Sequence, residues 1–345
     1  MASTPLSFAP APLRANRAAV QLAADGADIN AGIAGRLISL QLTESREDGA
    51  DKLELVLDNA DGKIAPLRKG AALALQLGWL QGSEVTTGMV DKGRFTVDEV
   101  EKSGPPDIVT IRARSADLTG SYRKRRDAVH KQTTLGAVIA KIAKANGLTA
   151  KVHPSLSGKV IDVIEQAGRS DMAFARDLGK RFDATATVKD RNLVFTPIGQ
   201  GQGAGGTALP ELALTKRSGG RWRFTTTQRG EYDGAEAQWH DGAAARRRTA
   251  KVGGGNNPKR LKRVYGSEAQ ATAAATAEQQ RQARGTATFE YDLALGDPAI
   301  IPERPVTLAG WDSEIDAVRW VVKEAVHTFS PNEGLTTRIT LESRG

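Results

Sequence analysis

Residues 51–79 read DKLELVLDNADGKIAPLRKGAALALQLGW. Two runs with alternating apolar residues, Leu53-Glu54-Leu55-Val56-Leu57 and Ala72-Leu73-Ala74-Leu75-Gln76-Leu77, stand on either side of a polar stretch. Alternation at period two sends one face of a strand to a core and the other to solvent, so the stretch predicts two β-strands. Between them, Asp58-Asn59-Ala60-Asp61-Gly62 with Pro66 supplies turn chemistry that fixes where one strand ends and the next begins. Gly78-Trp79 closes the second strand and leaves two readings open. Either Gly78 lets the chain bend where a large ring packs at a barrel end, or Trp79 is a plain core residue.

Working outward, the same period recurs in Gly35–Leu42, Arg94–Val100 and Ile108–Ala113, between clusters of Gly, Asp, Asn and Pro. Residues 1–115 therefore read as an all-β barrel or sandwich. At Thr133-Thr134 the period changes. Leu135, Val138, Ile139, Ile142 and Ala145 recur at helical spacing behind a threonine cap and before an Asn146-Gly147 stop. Ser170 caps a second helix with Met172, Ala175, Leu178 and Phe182 on one face, and a hairpin of 184–188 and 192–195 follows. Residues 116–200 form a small α+β module. Residues 201–210 form a glycine-rich linker, and residues 211–345 a second β domain. That domain carries a basic loop at 244–263 and an alanine-rich helix at 267–284, which reads as mostly exposed on a surface because it lacks large apolar residues. The fold class is mainly β with an α+β insert: two antiparallel β-barrel domains flanking a small α+β module.

Bulk properties narrow the function. A chain of 345 residues suggests two or three domains, and no apolar run approaches the ~20 residues of a membrane-spanning helix. The first twenty residues contain three prolines and no continuous apolar core, which does not read as a secretion signal, so assembly in the cytoplasm is the expectation. With no cysteine, disulfides, thiolate metal sites and cysteine nucleophiles drop out. The net charge of +8 is clustered in Arg123–Arg126, in Arg246, Arg247 and Arg248, and in Lys259, Arg260, Lys262 and Arg263. The last two groups flank Gly253-Gly254-Gly255-Asn256-Asn257-Pro258, where no stable local structure is expected. These seven residues are the candidate partner-docking set. A solvated loop, an acidic protein neighbour and a nucleic acid are the three readings, nucleic acid last, since no nucleic-acid-binding motif accompanies the charge.

Catalytic chemistry finds little support. His130, His153, His240 and His327 lie far apart without metal-ligand spacing, so neither a catalytic residue nor a metal ligand is assigned. Glu99 and Glu101 share a strand face and, with Asp98, invite comparison with a glycosidase pair, though surface charge explains them better. The glycines of 199–206 match GxGxxG from Gly201, but Pro210 and an extended 211–214 follow where a phosphate-binding helix would have to start. No cofactor is assigned.

Several stretches together carry a family resemblance. In the first half they are Asp58–Lys63, Gly70, Leu75-Gln76-Leu77-Gly78-Trp79, Gly88 and Phe95–Val100. In the second they are Tyr232–Trp239, Tyr265–Ala271, Gly296-Asp297-Pro298, Pro302–Gly310 and Val326–Pro331 with Leu335-Thr336-Thr337. As an ensemble over residues 35–342, the chain resembles the phage late control gene D family. The resemblance implies a structural baseplate hub of a contractile phage tail or an R-type pyocin. In that family three chains, each with two tube-like barrels, present six similar barrels, adapting a sixfold tail tube to a threefold central spike. It implies a homotrimer and, as partners, the spike, the tail tube and other baseplate or tape-measure proteins, with no cofactor. Unlike related secretion-system spike proteins, this sequence ends at Gly345 without an OB-fold or β-helical repeat, so a separate spike chain is expected. A tail-associated peptidoglycan-cleaving enzyme is the alternative, and a basic nucleic-acid-binding protein comes third.

Overall fold

A computed structural model of the chain describes residues 14–47, 49–65, 67–115, 121–226 and 232–344. Pro66 and the start of the first expected domain lie outside them. The structure is mainly β, and its first unit grows from the quoted stretch. Lys52–Asp58 and Ala72–Gln81 are strands, joined by two others, Gly88–Ser103 and Ile108–Arg114, in one antiparallel sheet. Leu53, Leu55, Leu73, Leu75 and Leu77 enter its core with Leu40 and Leu42 of the strand Leu37–Ser45. Each fully buried leucine contributes about 1.5–3 kcal/mol. The turn is held as its residues require: Ala60 N–H donates to Asp58 Oδ1 at 2.8 Å, Ile64 N–H to Asn59 Oδ1 at 3.0 Å, and Gly62 adopts φ +67°.

Trp79 serves a contact between halves of the chain, and Gly78 a close approach within its own unit. Trp79 is buried, and its Nε1–H donates to the carbonyl of Gly296 at 2.8 Å. A Cβ on Gly78 would stand 1.9 Å from the carbonyl oxygen of Gly88 on the paired strand, so only glycine allows this approach.

The unit's first strand is Arg17–Ala24. Setting aside the two-residue strand Ala27–Asp28 that pairs with it, and numbering the unit's six longer strands along the chain, their spatial order is second, third, sixth, fifth, fourth, first. The second unit consists of Leu212–Thr215, Gly219–Thr226, Ala287–Leu293, Pro305–Ala309, Trp320–Ser330 and Gly334–Ser343, and its spatial order is the same. Irregularities fall at matching places. The fifth and sixth strands shift register between Val97 and Glu99 in one unit and between Val322 and Glu324 in the other. The second and third shift between Leu37 and Ser39, and between Gly219 and Trp222. One difference is that the first and fourth strands pair antiparallel in the first unit and parallel in the second.

The two sheets are continuous. Trp320–Ser330 pairs with Pro305–Ala309 at its start and then with Leu37–Ser45, from Glu324 opposite Ser45 to Phe329 opposite Leu40. Among the described residues the pairing is thus one open sheet of thirteen strands, eleven along one path that ends at the two-residue strand Ala27–Asp28 and two, Pro305–Ala309 and Leu212–Thr215, branching from Trp320–Ser330, without two separately closed barrels.

The α+β module lies between the units. Helices Leu135–Ala145 and Asp171–Phe182 start at the expected caps, Thr134 and Ser170, whose hydroxyls accept the N–H groups of Ala137 and Ala173. They pack with the hairpin Ala184–Lys189 and Asn192–Pro197 around Leu135, Ile139, Phe174 and Phe195. The glycine-rich segment is folded on itself, with Gly203 N–H donating to Thr207 O and Leu209 N–H to Gly201 O. The strand Leu212–Thr215 follows it, so the geometry for cradling a phosphate at a helix start is missing there.

The basic segment 244–263 departs from the expectation of a loop. Arg246–Gly253 and Pro258–Tyr265 are strands on either side of Gly234–Asp241. Helix Glu268–Ala283 covers them through Ala271, Ala274 and Ala275 against Ala235 and Ala237. Small side chains on both partners allow close packing, which is why a helix read as mostly exposed buries one face. The glycine- and asparagine-rich segment is only the turn between strands, and the Asp233 carboxylate accepts the N–H groups of Asn256 and Asn257.

Candidate partner-docking surface

Strand pairing organises the candidate basic residues. Arg246, Arg247 and Arg248 lie opposite Asp241, His240 and Trp239 along the outer strand of the three-stranded sheet. Arg248 pairs with Asp241 at 2.9 Å and sits 6.0 Å from the Trp239 ring centroid, while Arg246 and Arg247 are exposed without an ion pair among the described residues. On the other outer strand, Lys259 holds Glu278 of the covering helix at 2.6 Å and Arg260 holds Glu236. Arg263 lies over the Tyr265 ring at 5.8 Å, and Lys262 is exposed. Lys259 and Arg260 therefore help fasten the subdomain. Arg246, Arg247 and Lys262 are the members most available to a partner.

A second charged assembly, absent from the sequence reading, lies where the first unit, the module and the second unit meet. Glu44 is buried against Lys92, Lys189 and His327; Lys92 Nζ also donates to the carbonyl of Pro298, and Lys189 reaches Asp51 at 3.2 Å. Burial alone would disfavour the Glu44 carboxylate, but Lys189 and Lys92 hold its pKa well below the usual range. Burial pushes Asp51 up to about 6 against the opposing pull of Lys189. It also pushes His327 below its ordinary value, favouring the neutral imidazole that bonds to Thr337 and to the carbonyl of Ile300. Nearby, Arg46 bridges Glu303 at 3.0 Å and Glu342 at 2.5 Å, and Arg284 binds Asp183. Glu303 further accepts the Gly199 N–H at 2.6 Å. A sequence signal existed at Glu44, which shares strand parity with the buried Leu40 and Leu42. Its partners come from distant segments and carry no local mark.

The remaining titratable candidates have partners of structural kind. Glu99 and Glu101 both accept from Arg112 Nη1 at 3.0 Å. His130 stacks on Phe174, and His153 contacts Ser155 and Gln202. Among the described residues no three His, Asp or Glu side chains gather as metal ligands. No described helix is long and apolar enough to cross a membrane.

Comparison with known proteins places this architecture. A family model described as phage tail baseplate hub (GPD) matches residues 38–333. The probable baseplate hub protein of Escherichia phage 186 is 36% identical over 94% of this chain and 92% of its own length. That of Escherichia phage P2 is 36% identical over 93% and 92%. Among solved structures, the 43 kDa tail protein of prophage MuSo2 from Shewanella oneidensis shares the fold at TM-score 0.65 and 17% identity, over 94% of this chain and 97% of that one. A type VI secretion component of E. coli, described as structurally similar to T4 tail proteins gp27 and gp5, gives TM-score 0.54 at 10% identity over 89% and 73%. With the family model covering most of the chain and two hub proteins matched nearly end to end, the chain belongs to the phage tail baseplate hub (GPD) family.

Proposed function

We propose that the chain works as a homotrimeric, non-catalytic adaptor in the tail baseplate, joining a sixfold tail tube to a threefold central spike. The observation that carries this reading is the repeated strand order. A chain with two like units offers six like positions when three copies surround an axis, which is what a sixfold partner needs from a threefold ring. The three-stranded sheet and its helix occur in the second unit alone, so they would appear three times and suit a threefold partner. The surplus of Arg246, Arg247 and Lys262 there favours an acidic protein surface. The buried ionic joint suits a load-transmitting part, since it ties both units to the module. Assembly takes place in the bacterial cytoplasm, with tube, spike and other baseplate or tape-measure proteins as neighbours. Native mass measurement of the chain, alone and with its spike protein, tests the reading: the expected complex holds three copies of the chain. A chain that stays monomeric with spike bound refutes it. Clearing of a cell-wall suspension by the purified chain would refute the non-catalytic part.

A further inference from the structure

The chain contains one filled joint and the two halves of a second. In the filled joint the fifth strand of the second unit pairs with the second strand of the first. The corresponding strands are the fifth of the first unit, Gly88–Ser103, and the second of the second unit, Gly219–Thr226. Gly88–Ser103 gives its outer edge to residues 70–79 as far as Val97, through the bonds of Val97 with Gly70 and Ala71. From Asp98 to Ser103 that edge has no strand partner among the described residues. Among the described residues Gly219–Thr226 is paired along one side only, with Ala287–Leu293. Bare edges of this kind invite pairing with another chain.

The matching bulges fix the register. Glu99 and Glu324 each follow the shift in the fifth strand, so Val100, Glu101 and Lys102 correspond to Ala325, Val326 and His327. Core neighbours fix the other strand. Leu42 opposite Leu53 corresponds to Phe224 opposite Phe289, and Leu40 opposite Leu55 to Trp222 opposite Tyr291. Resting on the trimeric reading above, we propose that Val100–Ser103 of one copy pairs antiparallel with Arg223–Thr226 of the next. This seam repeats between chains the joint that each chain makes within itself. Glu101 lies opposite Thr225, Lys102 opposite Phe224 and Ser103 opposite Arg223.

Two independent features of the edges agree. Glu99 and Glu101 of the one edge, with Glu54 two strands further in, surround the single guanidinium of Arg112, leaving negative charge in excess on that sheet face. Arg221 and Arg223 on the other edge make no ion pair among the described residues. In the proposed register Glu101 and Arg223 are diagonal neighbours on one sheet face, within reach of long side chains. Trp222 is 36% exposed, whereas its counterpart Leu40, inside the filled joint, is 0% exposed. A seam ending at Ser103 opposite Arg223 would bring the next copy up against that indole.

The absence of native cysteine permits a direct test. Residues directly opposite in an antiparallel pair have Cα atoms about 4.5–5.5 Å apart, within disulfide range. The variant with Glu101→Cys and Thr225→Cys, purified alone and co-expressed with its spike protein, is oxidised and run without reductant beside its native mass. The expected result is a dimer and trimer ladder that ends at the trimer, collapses on reduction and is absent from either single variant. The corresponding pair inside the filled joint, Val326→Cys with Thr43→Cys, should close within the monomer and shows that the chemistry works. A native trimer that does not cross-link while that control closes overturns the seam and leaves the trimeric hub standing. A ladder running past three copies supports the pairing and overturns the trimer, and a chain that stays monomeric with spike overturns both.

Discussion

Arg46 offers the sharpest test of how the units are held together. Its side chain is 4% exposed and faces two buried carboxylates, Glu303 at 3.0 Å and Glu342 at 2.5 Å, both from the second unit. Breaking a buried pair by removing one partner costs about 3–5 kcal/mol because a charge is left without compensation. Here the carboxylates keep some support. Glu303 retains the Gly199 N–H at 2.6 Å and Glu342 retains Arg284 at 3.8 Å, so Arg46→Leu should fall at the lower end, about 3 kcal/mol at pH 8. The loss should depend on pH with a definite sign. Burial already raises the Glu303 pKa above its ordinary value despite Arg46, and removing Arg46 raises it further. A carboxylate whose folded pKa lies above its unfolded one favours the folded state fully below the unfolded value, and that contribution disappears as pH rises through the folded value. The variant's deficit should therefore be full at pH 8 and shrink as pH falls toward about 4.3, the unfolded value for glutamate. Urea unfolding of the full chain, followed by tryptophan fluorescence at several pH values, reads both effects. Adding Glu303→Gln to Arg46→Leu should recover part of the loss at pH 8. A variant as stable as the parent at pH 8 would show that the bridge contributes no net stability, and a deficit that does not shrink with acid would show that the loss does not come from the uncompensated Glu303 charge.

Gly78→Ala should destabilise the chain by about 1–3 kcal/mol in the same unfolding assay, since its Cβ would meet the Gly88 carbonyl and force the paired strands apart; an unchanged midpoint would refute the close approach. Ser170→Ala should cost about 1 kcal/mol through loss of the cap on Ala173 N–H, with faster amide exchange in the first turn of that helix as the local readout. The combined Arg246→Glu, Arg247→Glu and Arg248→Glu variant should keep its fold, because Arg246 and Arg247 make no ion pair among the described residues and the exposed Arg248–Asp241 pair contributes at most about 1 kcal/mol. Its yield of assembled particles should fall in a salt-sensitive way, with a deficit that shrinks as salt screens the repulsion between the new glutamates and an acidic partner. Normal assembly at all salt concentrations would reduce the patch to a solubilising surface, whereas normal assembly with lost DNA retention would favour nucleic acid as its partner.

The parts legible in the sequence were those whose cause is local. Alternation gave the strands around residues 51–79, and Thr134 and Ser170 marked their helices because a cap acts within three residues of itself. The basic segment misled because its stabilising partners are not local. Charged residues around a triple glycine resemble a loop until Ala235 and Ala237 and the alanine helix provide a floor for the strands to lie on. The ionic joint was hidden for the same reason, since Glu44, Lys92, Lys189 and His327 meet only after three separate cores have formed.

The repeated unit lies deeper still. Its counterparts share position without sharing residues: Leu53 with Phe289, Leu55 with Tyr291, and Leu42 with Phe224. A core tolerates such exchanges when total volume and inward parity are kept, so larger rings in one unit can replace leucines in the other without changing which strand lies beside which. Strand order depends on connectivity and on which faces must be buried, and both survive substitution. What cannot drift freely is a place where backbone geometry is unusual. The register shifts after Val97 and Val322 remain aligned. Both fourth strands also run into a Gly-Trp pair, Gly78-Trp79 and Gly310-Trp311, though the two tryptophans have diverged in use. Trp79 reaches across to Gly296 in the other unit, while Trp311 packs edge-on against Phe289 and Tyr291 of its own. The first unit thus spends its indole on the contact between halves and the second on its own core, which is how one strand plan holds two units that are alike in outline and unequal in what they bind.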